Sequence, residues 1–239
     1  ILQLRAARLC LKKAHVPDSA IRLVLAGDLQ AQCTASGYAL RELGLPFVGL
    51  FGACSTMAEA VGLGAALCHA GLADGLLAMT SSHFCTAERQ FRTPLSYGAV
   101  RTPTAQWTAT AAGCCLLRPV GQGVSVAAVT FGRVQDYQIK DINNMGAAMA
   151  PAAAATLLHY LKDTGEEPKN FDAVYTGDLG QVGSRMFREI LTAEGLVMKN
   201  HIDCGCILYD AEHQAVKSGG SGPGCCAAVL CGHILPRLE

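Results

Sequence analysis

The sequence predicts an α/β protein built from two related halves. Short apolar runs typical of buried strands alternate with longer segments of helical periodicity, and strand-like runs follow one another toward the end of each half. The chain has 239 residues, of which 51% are hydrophobic and 16% charged, so it can bury a large core. We place the halves at residues 1–135 and 136–239, because the alternation restarts after Gln135 without a low-complexity linker.

The charge balance argues against a polyanionic partner. Lysines and arginines number 19, aspartates and glutamates also number 19, and the formal net charge is +0 at pH 7. Without a net positive field, the chain has no general attraction for nucleic acid or anionic lipid. A surface this poor in charge is typical of a protein partly covered by another subunit, so we expect a homodimer and no nucleic-acid partner.

The first half opens with an amphipathic helix. In residues 1–14 apolar side chains recur on one stripe, with Arg5, Arg8 and Lys12 opposite. No capping residue precedes this helix, so we expect that an N-terminal portion of the fold is missing. A buried strand follows in residues 21–27.

The next predicted helix covers residues 36–44 and ends at Gly44. The stretch after it forms a strand-to-helix elbow. Residues 47–51 form an apolar run suited to a buried strand, Gly52 and Ala53 permit a sharp turn, and Cys54 leads into a helix with small or apolar residues on every face. Elbows of this type raise a side chain into a cavity, and a helix N-terminus lowers the pKa of a thiol. The alternative is a small core cysteine.

The first half continues with a strand in residues 73–82, an irregular polar stretch in 81–104, and two strands in 111–119 and 123–135. The second half repeats this alternation of predicted helices and strands. We expect a buried helix ending at Gly165, a strand in "FDAVYTGD", a helix in "GSRMFREILTAEG", and strands in "CGCILYD" and "GCCAAVLCGHIL".

The 12 cysteines are scattered and include adjacent pairs, which is unlike the spacing of a secreted disulfide framework. We interpret them as reduced thiols. His201, Cys204 and Cys206 in "HIDCGC" would supply half a zinc site, but no second pair with suitable spacing completes it. We therefore favour core cysteines, and we expect no metal site and no cofactor.

Six motifs spread over nearly the whole chain carry a family resemblance: FGACSTMAEA, TSSHFCTAERQFR, PTAQWTATAAG, NMGAAMAPAA, YTGDLGQVG and SGGSGPGC. They resemble the thiolase superfamily and, more narrowly, the stage V sporulation protein AD family. The resemblance implies a five-layer αβαβα sandwich of duplicated halves, normally dimeric, with the missing portion ahead of Ile1. It also implies a role in moving dipicolinic acid into the developing endospore, together with membrane proteins of the same operon at the inner spore membrane.

The resemblance also shows where the enzymatic pattern is lost. Cys54 matches the acyl-accepting thiol of condensing enzymes, but Gly177 and Asp178 stand where those enzymes carry His. Residues 219–221, Gly-Gly-Ser, stand where they carry Asn-Gly or His-Gly. An ionised carboxylate and glycine donate no side-chain hydrogen bond to a forming oxyanion, and losing one such donor costs roughly 10²–10³ in rate. We therefore expect a pocket retained for binding rather than catalysis.

A planar aromatic diacid requires cations or backbone N–H groups for its carboxylates and a flat surface for its ring. Arg92 is our choice among the arginines of its segment, although ordinary surface pairing is an alternative. Trp107 would stack on the ring, with core packing as the alternative. Asp178 suits a dianion only if it is protonated, bonded to an arginine or bound to a divalent cation such as calcium. The candidate ligand-binding residues are Cys54, Ser82, His83, Arg92, Trp107, Asn144, Asp178 and Ser221.

Two other hypotheses remain open. The first is an acyl-CoA condensing enzyme or acyltransferase that uses Cys54 as nucleophile, with His83 as the base. The second is a structural docking platform for membrane partners. We expect a soluble protein of cytoplasmic type, peripherally associated with the inner spore membrane.

Overall fold

The computed structural model describes residues 1–91 and 101–238. Its Cα positions fall into two compact units. The described part of the first unit comprises residues 1–91, 108–129 and 222–238, and that of the second comprises 101–107 and 130–221. The units do not test the predicted duplication, so the halves at 1–135 and 136–239 remain a prediction.

Helices and strands alternate along most of the chain, which confirms the predicted α/β class. In chain order the first elements are α1 (Leu2–Ala14), β1 (Leu23–Gly27), α2 (Thr34–Arg41), β2 (Phe47–Gly49), α3 (Thr56–His69), β3 (Leu76–Ser82), α4 (Phe84–Phe91), β4 (Trp107–Thr108) and β5 (Ala111–Leu117). The later elements are α5 (Met145–Thr164), β6 (Val174–Thr176), α6 (Gly180–Ala193), β7 (His201–Asp203), α7 (Cys204–Ile207), β8 (Gly220–Ser221), α8 (Pro223–Val229) and α9 (Leu235–Leu238).

A four-stranded sheet in the order β2-β1-β3-β5 forms the centre of the first unit. β1 runs parallel to β2 and β3, and β5 runs antiparallel to β3. Alternate residues of β1 face opposite sides: Val24 packs in a cluster with Ala7 of α1, and Leu25 packs in another with Ala60 of α3. The sheet is therefore covered on both faces, as its apolar strands predict.

A pair of strands and a pair of helices form the core of the second unit. Strands β6 and β7 pair in parallel, and α5 packs closely against α6. The helices approach so closely that a Cβ on Gly146 would stand 2.8 Å from the backbone nitrogen of Gly183. Phe187 and Leu191 of α6 are almost fully buried in the cluster between these elements.

Several sequence-based expectations are wrong. β2 is a partly exposed edge strand rather than a buried one, and residues 123–135 form no strand, because the alternating valines find no partner strand among the described residues. Residues 204–207 form α7, because Asp203 caps the turn by accepting from Cys206 N at 3.2 Å. The predicted strand at 224–235 is instead α8, a π-helical turn at Leu230–Ile234 and α9.

Two features, one local and one from the neighbouring strand, favour a helix at α8. Pro223 occupies the first turn, where its missing N–H costs nothing and its ring fixes a helical φ angle. A helix fits there because β5 offers Gly113: a Cβ at that position would stand 2.5 Å from the carbonyl oxygen of Ala227 in α8.

Part of the predicted irregular stretch 81–104 is also regular, since residues 84–91 form α4.

Candidate functional site

Ser82 and His83 lie at a cleft in the first unit. The cleft has a volume of about 410 Å³ and is lined by residues of α1, the segment after β1, the end of β3 and α4. Ser82 Oγ donates to the carbonyl oxygen of Ala109 at 2.6 Å and accepts from Gly224 N at 3.1 Å. Ser82 therefore ties β3 to the start of α8, whereas His83 is exposed.

Two buried polar residues that line this cleft, Gln3 and Asp28, are linked through Ser36. Gln3 Nε2 donates to Gly27 O at 2.7 Å and to Ser36 Oγ at 2.9 Å, and Ser36 Oγ donates to Asp28 Oδ2 at 2.6 Å. Gln3 Oε1 is buried and has no hydrogen-bond partner. These three side chains were not predicted, because each lies on a different segment and none forms a local motif.

The predicted elbow is present around Cys54. Cys54 is partly buried in a 3₁₀ turn, Ala53–Ser55, immediately before α3. Ala53 has a φ angle of 49°, which is unusual for a residue with a side chain, and its carbonyl accepts from Thr56 Oγ1 at 2.7 Å. Cys54 is not among the residues that line the 410 Å³ cleft. Its exposure to a cavity stays a prediction.

Asp178 and Ser221 meet in the second unit. Asp178 is 4% exposed, and Ser221 Oγ donates to its Oδ2 at 3.3 Å. Gln106 Nε2 donates to the carbonyl oxygens of Asp178 at 2.6 Å and of Gly220 at 3.0 Å. These two bonds fix the orientation of the Gln106 amide and leave its Oε1 buried without a partner.

Trp107 lies beside the same group of residues. Its backbone N–H donates to Gly219 O at 2.8 Å, and the guanidinium carbon of Arg101 stands 4.8 Å from the centre of its ring. Both side chains are partly exposed. Trp107 is therefore a cation–π partner of Arg101 rather than a wholly buried core residue. Arg101, Gln106, Trp107, Asp178 and Ser221 are called the Asp178 cluster below.

Asn144 serves as the N-cap of α5. Its Oδ1 accepts from Ala147 N at 3.2 Å, which satisfies one of the N–H groups left unpaired at a helix start. Arg92 lies outside the described residues. Of the other predicted residues, Cys54, Ser82 and His83 belong to the first unit, and Trp107, Asn144, Asp178 and Ser221 to the second.

A second cleft, of about 340 Å³, was not predicted. It lies in the second unit, and its polar lining includes Ser184, Arg188, His201, Asp203 and Cys206. Asp203 is 3% exposed and accepts from Thr176 Oγ1 at 2.6 Å, Leu179 N at 2.8 Å and Gly180 N at 2.9 Å. The motif "HIDCGC" was the sequence signal for this cleft. Because we predicted "CGCILYD" to be a strand, we missed that Asp203 caps a helix.

Burial shapes the chemistry of this second cleft. It lowers the pKa of His201, with Arg188 acting in the same direction and Asp203 opposing it. Burial also raises the pKa of Cys206 to about 11, and the negative charge of Asp203 adds to that effect. A thiol with such a pKa is protonated near neutral pH, so it is a poor nucleophile.

Within residues 1–91 and 101–238, no group of three or more His, Cys, Asp or Glu side chains is placed to hold a metal ion. Calcium takes six to eight oxygen ligands, and the Asp178 cluster offers one carboxylate that already accepts from Ser221. The cluster alone does not supply a calcium site, and calcium bound together with the ligand stays a prediction. No helix in the described part of the chain has the length and apolarity needed to cross a membrane.

Solved structures with the same fold identify the class of protein. The chain superimposes on 3-oxoacyl-[acyl-carrier-protein] synthase III from Aquifex aeolicus with a TM-score of 0.65 and 12% identity, covering 99% of this chain and 75% of that one. It superimposes on Xanthomonas OleA, crystallised with cerulenin, with a TM-score of 0.68 and 14% identity, covering 100% of this chain and 72% of that one. The chain is thus a protein of thiolase-like fold, as predicted.

Sequence comparison is more specific than the fold. The profile described as stage V sporulation protein AD matches residues 1–239. Stage V sporulation protein AD of Bacillus subtilis (strain 168) is 41% identical over 235 residues, which are 98% of this chain and 69% of that protein. The chain therefore belongs to the stage V sporulation protein AD family, and the resemblance drawn from its motifs is confirmed.

Proposed function

We propose that this sporulation protein binds dipicolinic acid without catalysing acyl transfer, and that it supports uptake of the acid into the developing spore. In this proposal it acts as a homodimer, peripherally at the inner spore membrane, with membrane proteins of the same operon as partners. The observation that carries the proposal is the chemistry at Asp178 and at Gly219, the first of residues 219–221, where the motif resemblance implies that condensing enzymes hold hydrogen-bond donors.

Neither position can donate a side-chain hydrogen bond to an oxyanion. Asp178 accepts at its carboxylate from Ser221. Gly219 has a φ angle of +118°, and a Cβ there would stand 2.6 Å from the carbonyl oxygen of Gly205. A side chain at this position would be strained, which supports the proposal that no asparagine or histidine donor stands there. A thiolase-like protein with these two substitutions is suited to holding a ligand unchanged.

The Asp178 cluster offers groups that suit a pyridine dicarboxylate. Arg101 donates to Gln106 O at 3.1 Å, and a guanidinium is the group that binds a carboxylate through two parallel bonds. The indole of Trp107 supplies a flat aromatic surface for the ring.

Calorimetric titration of the full-length protein with dipicolinic acid tests the proposal. We expect saturable heat, and weaker binding of pyridine-2-carboxylic acid because it lacks one carboxylate. Arg101→Gln should weaken binding of dipicolinic acid at least about tenfold, since a lost charged hydrogen bond is worth about 1.5–3 kcal/mol. Trp107→Ala should weaken it more than Trp107→Phe.

Arg22→Gln is the matched control, because Arg22 is an exposed arginine of the first unit that pairs with Asp74 at 3.4 Å. It should bind dipicolinic acid like the unsubstituted protein. Absence of heat with both acids would overturn the proposal. If Arg101→Gln binds normally, the ligand lies elsewhere. If Arg101→Gln abolishes binding but leaves spore dipicolinate unchanged, the docking-platform hypothesis is favoured instead.

Acyl transfer by Cys54 is a second candidate, and the backbone at the elbow favours it. A residue held at positive φ directly before a half-buried cysteine is typical of the strained turns that present nucleophiles. Incubation with a panel of acyl-CoA thioesters, followed by intact-mass measurement, distinguishes the two functions. A stable adduct that Cys54→Ala removes would support catalysis, and no adduct supports the binding role.

A further inference from the structure

Several thiols of the first unit gather between β5 and the C-terminal helical segment. Sγ of Cys115 on β5 lies 3.7 Å from Sγ of Cys231, which belongs to the π-helical turn after α8. Sγ of Cys231 is also 3.7 Å from the carbonyl oxygen of Cys114. On the other side of β5, interaction with Cys114 lowers the pKa of Cys10, and interaction with Cys10 raises the pKa of Cys114.

We propose that Cys115 and Cys231 are a modification site, a dithiol that closes to a disulfide when it meets a low-molecular-weight disulfide. Their sulfur atoms need to approach from 3.7 Å to the bonded distance of about 2.05 Å. Both residues are partly exposed, so a small reagent can reach them. They are 116 positions apart in sequence, so only the fold brings them together.

The exchange balances without any group beyond the reagent. The Cys231 thiolate attacks one sulfur of the reagent, forms a mixed disulfide and releases one small thiol. Cys115 then gives its proton to solvent, and its sulfur attacks Sγ of Cys231 and releases the second small thiol. The two protein thiols are oxidised and the reagent disulfide is reduced to two thiols.

The order of these steps follows from the hydrogen bond between the two thiols. The bond from the Cys115 thiol lowers the pKa of Cys231, and the same bond raises the pKa of Cys115. Cys231 therefore supplies the first thiolate.

The bond would join the C-terminal segment to the central sheet beside the predicted site residues. α8 packs on β3 and β5 and contacts the turn that carries Cys54, and Gly224 N of α8 bonds Ser82 Oγ at 3.1 Å. A covalent link from β5 to the turn following α8 would hold this arrangement. It would also restrict the unfolded chain, which raises thermal stability.

Treatment of the full-length, reduced protein with oxidised glutathione tests the proposal. We expect a product that has lost two hydrogens and carries no glutathione, with Cys115 linked to Cys231 in a peptide map made without reduction. The oxidised protein should melt on the order of 5–10 °C higher than the reduced protein. Neither readout depends on dipicolinate binding, so this test can fail or succeed independently of the proposed function.

Variants locate the bond. Cys115→Ser and Cys231→Ser should each abolish both the loss of two hydrogens and the rise in melting temperature. Cys85→Ser removes an exposed thiol on α4 and should retain both. A glutathione adduct that persists on Cys231, a link between other cysteines, or an oxidised wild-type protein that melts like the reduced form would each overturn the proposal.

Discussion

His201 places its Nε2 atom 2.9 Å from the hydroxyl oxygen of Thr176, and that hydroxyl donates to Oδ2 of Asp203 at 2.6 Å. On the other side of the ring, a guanidinium nitrogen of Arg188 stands 3.3 Å from Nδ1. Because Arg188 can only donate and the Thr176 hydrogen is committed to Asp203, the arrangement requires a neutral imidazole with its proton on Nε2. A series of hydrogen bonds thus joins an arginine, a histidine and a buried aspartate.

This arrangement predicts loss of stability in mild acid. Burial lowers the pKa of His201 in the folded protein. The unfolded chain takes up a proton near pH 6.5, whereas the folded chain does so only at lower pH. Between these two pKa values the unfolded state binds more protons, so the free energy of unfolding falls as pH falls.

The comparison of His201→Gln with wild type measures this effect. Melting temperatures between about pH 5 and pH 7.5 should fall less steeply toward acid in His201→Gln. His69→Gln, which changes an exposed histidine at the end of α3, should retain the wild-type slope. Equal slopes for all three proteins would show that His201 does not carry the dependence.

Asp203→Asn should destabilise the second unit. The carboxylate accepts from one hydroxyl and from the backbone N–H groups of Leu179, Gly180 and Cys206. An amide removes the charge and turns one acceptor into a donor facing these donors. We expect a loss of about 2–4 kcal/mol in the free energy of unfolding, measured in urea.

The control for Asp203→Asn is Asp172→Asn, an exposed aspartate of the same unit. It should change the free energy of unfolding by less than about 0.5 kcal/mol. A similar small effect for Asp203→Asn would mean that its hydrogen bonds are replaced by water at little cost.

Cys206 should react slowly with alkylating reagents near neutral pH. Its pKa of about 11 leaves on the order of 10⁻³ of the thiol ionised at about pH 8. Mass spectrometry after timed iodoacetamide treatment should show its rate rising about tenfold for each pH unit up to about pH 10. Exposed Cys85 serves as the internal reference, and equal rates for both thiols at pH 8 would contradict the expectation.

Gly219→Asn should not give the protein acyl-transfer activity. The φ angle of +118° and the carbonyl of Gly205 at 2.6 Å from a built Cβ leave no strain-free place for a side chain. Strain at such a φ angle costs about 1–3 kcal/mol, and the close contact adds to this cost. Gly219→Ala and Gly219→Asn should therefore both unfold at a lower urea concentration than the wild-type protein.

Gly37→Ala is the matched control for these two variants. Gly37 lies exposed within α2 at a helical φ angle, and a Cβ there meets nothing within 4 Å. This substitution should stabilise by about 0.5–1 kcal/mol. If Gly219→Ala is as stable as wild type, the argument that a side chain at this position would be strained is wrong.

Elements with strong local signals could be predicted from the sequence. The stripe of α1, the apolar runs of β1 and β3, and the Gly165 stop of α5 all depend on neighbours within a few residues. The predictions that were wrong share another property. Residues 123–135 and 224–235 are apolar segments that suit either state, and the presence of a partner strand or of Gly113 decides between them.

The candidate site divides in the same way. The residue types at Cys54, Trp107, Asp178 and Ser221 could be singled out from motifs. Their partners could not be: Gln106, which binds the carbonyl of Asp178, is 72 positions away from it. The same holds outside the candidate site, where Cys115 is 116 positions from Cys231. Hydrogen bonds of this kind depend on distances of a few ångströms between segments that leave no periodic trace in the chain.

The sequence by itself determined the α/β class and the family, because these depend on which residue type stands at which position. Only the tertiary structure decided that α8 is a helix, that Asp203 and His201 share one hydrogen-bonded series, and that two distant thiols are in contact. The physical reason is the distance along the sequence over which each interaction acts. Helical periodicity and capping act within one or two turns, whereas packing and hydrogen bonding between segments require the folded backbone to bring them together.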